Sequence, residues 1–163
     1  MTIFKGRSGL LHYEIAMGIS LNMLNKVLII DDSEELYQFY KTTLRRYKYE
    51  IVTAWSREEG LSTLIEDPEV NLVFVDMDMS LSCMSGLEFM QKVKEQQTLK
   101  DIPIVVVSTY NREDNIEEAL ALAYGNLTKP FMANEIHALI ERLSPVSAYK
   151  PKTMQPLSLT LNS

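Results

Sequence analysis

Leu72-Val73-Phe74-Val75-Asp76-Met77-Asp78 decides how the rest of this chain is read. Four apolar residues followed by a carboxylate predict a strand buried on both faces that carries an acid to its C-terminal end. Two further runs end in the same way. Val27-Leu28-Ile29-Ile30 leads into Asp31-Asp32, and Ile104-Val105-Val106-Val107 leads into Ser108. A short run, Asn126-Leu127-Thr128, meets Lys129-Pro130. In open parallel sheets ligands bind outside the C-terminal ends of the strands. Three carboxylates, a hydroxyl and a lysine are therefore expected to converge at one edge.

The segments between these strands read as helices. Ser33 is a plausible cap, Glu34 and Glu35 suit a helix N-terminus, and Leu36, Phe39, Tyr40, Thr43, Leu44 and Tyr47 follow at three- and four-residue spacing. After a short strand at Glu50–Ala54, Ser56-Arg57-Glu58-Glu59 resembles a capping box. It opens a helix carrying Leu61, Leu64 and Ile65, stopped by Asp67-Pro68. The central strand is expected over Asn71–Val75. A loop then runs from Met77 to Ser85, and Gly86 opens a helix with Leu87, Met90 and Val93 inward. Ile102-Pro103 introduces the fourth strand, since proline is tolerated at a strand's first residue. Asn111–Ala123 reads as a helix with Ile116, Ala119, Leu120 and Ala123 on one side. Asn134 is expected to cap a last helix with Ile136, Leu139, Ile140 and Leu143. Strands alternating with helices predict an α/β fold with a parallel sheet and right-handed crossovers, covered on both faces.

Length and composition set the bounds. The 163 residues suit one domain with a sizeable core. Residues 25–145 are expected to form it, 1–24 an extension of unreadable role, with a possible short helix at Leu10–Met23, and 146–163 a flexible proline-containing tail. A net charge of −6 argues against a nucleic-acid surface, which needs clustered Lys and Arg. The single cysteine, Cys83, forms no internal disulfide, which favours a reducing compartment. No apolar run approaches the roughly 20 residues of a membrane span. Cytoplasmic and soluble is the expectation.

The acid pair at one strand end and a third acid at the next form an oxygen-rich cluster suited to Mg²⁺, a hard cation that takes one or two carboxylates and keeps several waters. Without a cation the clustered charges repel and raise one another's pKa. Asp31-Asp32 alone would read as a charged helix start. Asp76 is harder to dismiss, because a carboxylate at the end of an apolar strand is costly unless used. A lone lysine is usually solvated, and a strand-end serine is usually only that. Opposite the acids, Lys129 would neutralise them or hold a phosphoryl oxygen as a point charge, with Ser108 donating to the same oxygen. Phosphoryl transfer needs a nucleophile, a cation and donors in place, and Asp76, Mg²⁺, Ser108 and Lys129 meet each requirement.

From Asn25 to Leu143 the sequence resembles a response-regulator receiver domain, the phosphoacceptor half of two-component signalling. The resemblance rests on Val27–Asp32, on Leu72–Asp76, on Gly86-Leu87-Glu88, on Ile102–Ser108 and on Lys129-Pro130-Phe131. It implies a flavodoxin-like three-layer sandwich with a five-stranded parallel sheet of order 2-1-3-4-5, and a cis peptide at Lys129-Pro130. It also implies transfer of a phosphoryl group from a histidine kinase or phosphotransfer protein to an aspartate, with Mg²⁺ as cofactor. Output is implied through a rearranged fourth-helix, fifth-strand and fifth-helix face that meets a downstream protein. With no output domain after Leu143, a stand-alone receiver is expected, a phosphoprotein that catalyses only its own phosphorylation and dephosphorylation.

The sequence departs from the family pattern in three places. Asp76-Met77-Asp78-Met79-Ser80 mimics the family's Asp-x-Asn-Met-Pro, but Gly86 then falls two residues late. Counting back from Gly86 makes Asp78 the acceptor with no insertion. Asp76 is preferred, because it would otherwise sit in a buried strand with no evident partner. Asp78 then offers its backbone carbonyl to Mg²⁺, and its side chain is placed to tune the lifetime of the phosphorylated state. Asn126 stands where the family has an aromatic, with Tyr124 as a substitute, and Ser80 replaces a proline. Tyr110, two residues past Ser108, lies where side chains gate access to the acyl phosphate. Two rivals remain open. Val73–Leu81 also resembles the first motif of haloacid-dehalogenase-like hydrolases, with Asp76 as nucleophile and Asp78 as general acid, although that family opens with this strand. A degenerate receiver would keep the fold and act as a phosphorylation-independent binding module.

Overall fold

The computed structural model describes residues 26–109 and 115–143. The extension at 1–24, the tail at 146–163, the gating candidate Tyr110 and the expected helix start at Asn111 lie outside the described residues. Elements alternate along the chain: β1 (Lys26–Ile30), α1 (Glu34–Leu44), β2 (Glu50–Ala54), α2 (Arg57–Glu66), β3 (Val70–Asp76), α3 (Gly86–Glu95), β4 (Ile104–Thr109), α4 (Ile116–Leu122), β5 (Gly125–Lys129) and α5 (Ala133–Leu143). The five strands are parallel, in the order β2-β1-β3-β4-β5.

Alternation of side chains across the strands divides the core in two. Leu28, Ile30, Val73, Val75, Ile104 and Val106 face one side, where Leu64, Phe89, Met90, Val93 and Ala119 from α2, α3 and α4 cover them. Val27, Ile29, Leu72, Phe74, Val105 and Val107 face the other, under Tyr40 and Leu44 of α1 and Ile136, Leu139 and Ile140 of α5. The chain moves from β1 outward to β2, then crosses back to β3. The reversal makes the C-terminal ends of β1 and β3 the topological switch point, where the ends of adjacent loops diverge and leave a crevice.

Local chemistry explains the helix ends. Ser33, Ser56 and Ser85 each accept a hydrogen bond from the backbone N–H three residues on, at 3.3, 3.1 and 3.1 Å. In α5 the expected cap does not form. The helix begins at Ala133, so Asn134 lies in its first turn, and Glu135 instead reaches back to the Met132 N–H at 2.7 Å. β3 runs one residue further at each end than expected and includes Asp76 itself. Pro103 precedes β4 rather than opening it. Phe89 takes the fully buried place in α3, while Leu87 is half-buried. Two predicted core residues face solvent: Ile65, because α2 turns Gly60 to the sheet, and Leu120, because the edge helix α4 buries only Ala119 completely. A Cβ at Gly60 would run into the Ile30 side chain, so α2 sits hard against β1.

Candidate functional site

Asp31, Asp32 and Asp76 bring carboxylate oxygens within 4.8 Å of one another at the switch point. Asp31 follows β1 and is fixed by the Ser33 N–H, which donates to its Oδ1 at 2.8 Å. Asp76 ends β3 and is fixed twice. The Asp78 N–H donates to Oδ1 at 3.0 Å and Lys129 Nζ donates to Oδ2 at 2.7 Å. The same ammonium lies 3.8 Å from Asp31 Oδ2. The side chains of Asp31 and Asp76 are only 3% exposed, against 20% for Lys129, and Asp32 is half-buried.

One ammonium thus faces three carboxylates, two of them out of water. Burial pushes the Asp31 carboxyl up to about 6, with the charge of Asp76 adding to the rise and Lys129 opposing it. A deficit of positive charge among hard oxygen donors is the environment a divalent cation such as Mg²⁺ fits. Tyr40 is buried with its ring 5.1 Å from that of Phe74, and burial first, then the charges of Asp31 and Asp76, raise its hydroxyl well above its ordinary value.

The remaining sequence candidates fall in different places. Lys129-Pro130 is a cis peptide. Ser108 is half-buried near the end of β4, one register position past Val107, the partner of Asp76. Asp78 turns its carboxylate away from the cluster, accepting from the Thr109 N–H at 2.6 Å. Asn126 and Tyr124 are exposed on and beside the edge strand β5 and take no part in the acid cluster.

Two residues went unrecognised in the sequence. Arg57 is 2% exposed and donates to backbone carbonyls at the end of β3 and in the loop beyond. Thr109 holds Asp78, and its own hydroxyl is buried with no hydrogen-bond partner among the described residues. A burial-prone hydroxyl pair, Ser108-Thr109, was the available signal for the second. The first had none, since an arginine after a helix cap ordinarily reads as solvated.

A sequence model of the response regulator receiver domain matches residues 27–141. The chain belongs to the response-regulator receiver family. It is 31% identical over 120 residues to the two-component response regulator ORR11 of Oryza sativa subsp. indica, covering 73% of this chain and 80% of that protein. It is 28% identical over 118 residues to a chemotaxis protein CheY homolog of Campylobacter jejuni, covering 71% of this chain and 89% of the relative. Among solved structures, the chemotaxis response regulator CheY4 of Vibrio cholerae superposes with a TM-score of 0.65 at 30% identity, covering 74% of this chain and 99% of that one. The chain is a CheY-like receiver of the two-component systems, with the expected sheet order, and receivers are signalling proteins rather than metabolic enzymes. Family membership sets the hydrolase reading aside. Among the described residues no helix is long and apolar enough to cross a membrane.

Proposed function

We propose that this receiver accepts a phosphoryl group on Asp76 from a phosphorylated histidine of a kinase or phosphotransfer protein, in a Mg²⁺-dependent reaction. The signal then passes on through changed contacts with a downstream protein, in the cytoplasm. The observation that carries this reading is the 2.7 Å contact of Lys129 with Asp76 inside the Asp31–Asp32–Asp76 cluster. Asp78, the alternative acceptor, has its carboxylate committed to the Thr109 N–H.

Asp31, Asp32 and Asp76, with the backbone carbonyl of Asp78, would hold Mg²⁺. When bound, the ion neutralises charge on the transferring phosphoryl oxygens. An Asp76 carboxylate oxygen attacks phosphorus. The new oxygen–phosphorus bond forms as the donor's phosphorus–nitrogen bond breaks, and the departing imidazole nitrogen keeps the electron pair and takes up a proton. Lys129 follows the charge from the carboxylate to a phosphoryl oxygen, and the Ser108 hydroxyl donates to another. Hydrolysis of the acyl phosphate by water returns the aspartate.

The test is intact and peptide mass spectrometry after incubation with Mg²⁺ and a small acyl-phosphate donor, on wild type, Asp76→Asn and Asp78→Asn. An adduct lost only in Asp76→Asn is the expected result. Loss only in Asp78→Asn would move the acceptor. No adduct in wild type, with a histidine kinase as donor as well, would leave a binding module that ignores phosphate.

A further inference from the structure

The chain leaves the sheet after Asp76 and travels nine residues, Met77 to Ser85, before α3 begins. Met77 and Met79 in this loop are buried, and although the Met77 N–H still donates to the Val107 carbonyl of β4 at 2.8 Å, the remaining backbone polar groups need partners outside the sheet. Two consecutive residues at the start of α2 supply several of them. The Arg57 guanidinium donates to the Asp76 carbonyl from Nε at 3.2 Å and from Nη2 at 2.9 Å, to the Met77 carbonyl from Nη2 at 2.5 Å, and to the Met84 carbonyl from Nη1 at 2.8 Å. The Glu58 carboxylate accepts from the Met84 N–H at 2.5 Å and from the Ser82 hydroxyl at 2.8 Å. Ser82 in turn accepts from the Arg57 N–H at 3.3 Å.

We propose that Arg57 is a positioning residue for the cation site, with Glu58 as its auxiliary. Together they hold both ends of the Met77–Ser85 loop against α2. The inference rests on the phosphoacceptor reading above and assigns to α2 a part in it. The guanidinium grips the backbone of the acceptor Asp76 and of Met77, so the next residue, Asp78, is delivered in one orientation. Its N–H then meets Asp76 Oδ1, its carboxylate meets Thr109, and its carbonyl is fixed as a cation ligand. A planar fork with several donors reaches three carbonyls at once, which the single ammonium of lysine does not. The contact of Gly60 with Ile30 sets α2 close enough to the sheet for the fork to reach. Arg57 touches neither cation nor phosphoryl group, and acts through the backbone it holds.

Binding of Mg²⁺ alone is measured through the fluorescence of Trp55, the single tryptophan, which lies two residues before Arg57, and by isothermal titration calorimetry. The proteins are wild type, Arg57→Met, Arg57→Lys and Glu58→Gln, with amide hydrogen exchange over residues 77–85 in parallel. Arg57→Met is expected to weaken Mg²⁺ about tenfold or more, as loss of residues that orient metal ligands does, and to speed exchange at 77–79 and 84. Arg57→Lys is expected to restore thermal stability in good part but not Mg²⁺ affinity. Glu58→Gln is expected to loosen 82–84 with a smaller effect on the cation. Mg²⁺ affinity within twofold of wild type in folded Arg57→Met, or in Arg57→Lys should the methionine variant not fold, would overturn the proposal and leave the clamp as structure only. An absent phosphoryl adduct in wild type would defeat the functional reading by itself, while the Mg²⁺ titration would still judge the clamp.

Discussion

The two ends of β1 carry the same ionic inventory in opposite arrangements. At the N-terminal end Lys26 meets Asp67 and Glu69 at 2.9 Å and Glu50 at 3.5 Å, three acids around one lysine. At the C-terminal end Lys129 meets Asp76 at 2.7 Å and Asp31 at 3.8 Å, with Asp32 the third acid beside them. The difference is in what water reaches. At the first end the lysine is tucked in and the acids stand outward, Glu69 with 74% of its side chain exposed. Solvent there screens the surplus negative charge, and the acids' hydrogen bonds push the Lys26 pKa up. At the second end the acids are inside and the lysine is nearer the surface. Burial first, and then the unscreened charge of Asp76, raise Asp31 to about 6. Equal charge counts therefore make an anchor at one end and an under-neutralised acid cluster at the other, and burial of the acids decides which.

The comparison breaks most visibly at Lys129. Lys129→Met leaves Asp76 and Asp31 buried without their cation. We expect a loss of about 3 kcal/mol in metal-free protein at pH 7.5, the order found when one partner of a buried ion pair is removed. Urea denaturation reads it. Millimolar Mg²⁺ should recover much of the loss, because the carboxylates gain a counter-charge that the side chain no longer gives. The corresponding loss for Lys26→Met should be smaller and indifferent to Mg²⁺. If the two variants lose equally and Mg²⁺ rescues neither, the ends of β1 do not differ as argued.

Asp31 sharpens the comparison with the opposite sign. Its carboxyl titrates near 6 in the folded protein and at 3.8 in the unfolded chain. Between those values the folded state holds a proton that the unfolded state has lost, so stability falls as pH rises from about 4 to about 6. Above that it is level in this group. Asp31→Asn should remove the fall and stabilise the metal-free protein at neutral pH by about 2 kcal/mol, discounted for water at the rim. Thermal unfolding in a chelator across pH 4–8 measures both. A pH profile of Asp31→Asn that matches wild type would show that Asp31 is not the group under strain.

How much of this the sequence carried follows from which interactions are local. Apolar runs at Val27–Ile30, Leu72–Val75 and Ile104–Val107 are long enough to mark buried strands, and a polar residue at the end of each can only emerge at the same edge of a parallel sheet. That made Asp31, Asp32, Asp76 and Ser108 legible together. The acceptor's register was less so, because Met77–Ser85 has no periodicity: the buried strand favours Asp76, while counting back from Gly86 gives Asp78. The contacts on which the proposal of Asp76 rests, Lys129 on Asp76 and the Thr109 N–H on Asp78, span 53 and 31 residues. Arg57 was hidden for the same reason. Its burial depends on a loop 20 and 27 residues further along folding over it. Ile65 and Leu120 failed in the reverse direction, as apolar residues at helical spacing for which the sheet has no remaining surface.

The smallest effect is the most discriminating for the anchor. Glu69 lies in the outward-facing set around Lys26, and its carboxylate is mostly in water on a short turn before β3, where it meets Lys26. Asp67, also 2.9 Å from the ammonium and half-buried, remains when Glu69 is neutralised. Glu69→Gln should therefore leave the urea midpoint where it is at 0.15 M salt, and shift it slightly downward only at low salt, where screening weakens. Asp67→Asn should cost more, because its carboxylate both pairs with Lys26 and accepts the Glu69 N–H at 3.0 Å, tying the end of α2 to the start of β3. Its acid titration carries the same sign. Lys26 holds the Asp67 carboxyl below its ordinary value, so its stabilisation is present above about pH 4 and lost as pH falls further. Stability at the two ends of one strand then moves in opposite directions through the acid range: Asp67 weakens the fold on acidification while protonation of Asp31 strengthens it. The double variant Asp31→Asn/Asp67→Asn should remove the Asp31 fall between about pH 4 and 6 and shrink the loss at lower pH to the share of Glu58, whose carboxyl its hydrogen bonds hold down to about 2; an unchanged fall between pH 4 and 6 would place that titrating carboxylate elsewhere.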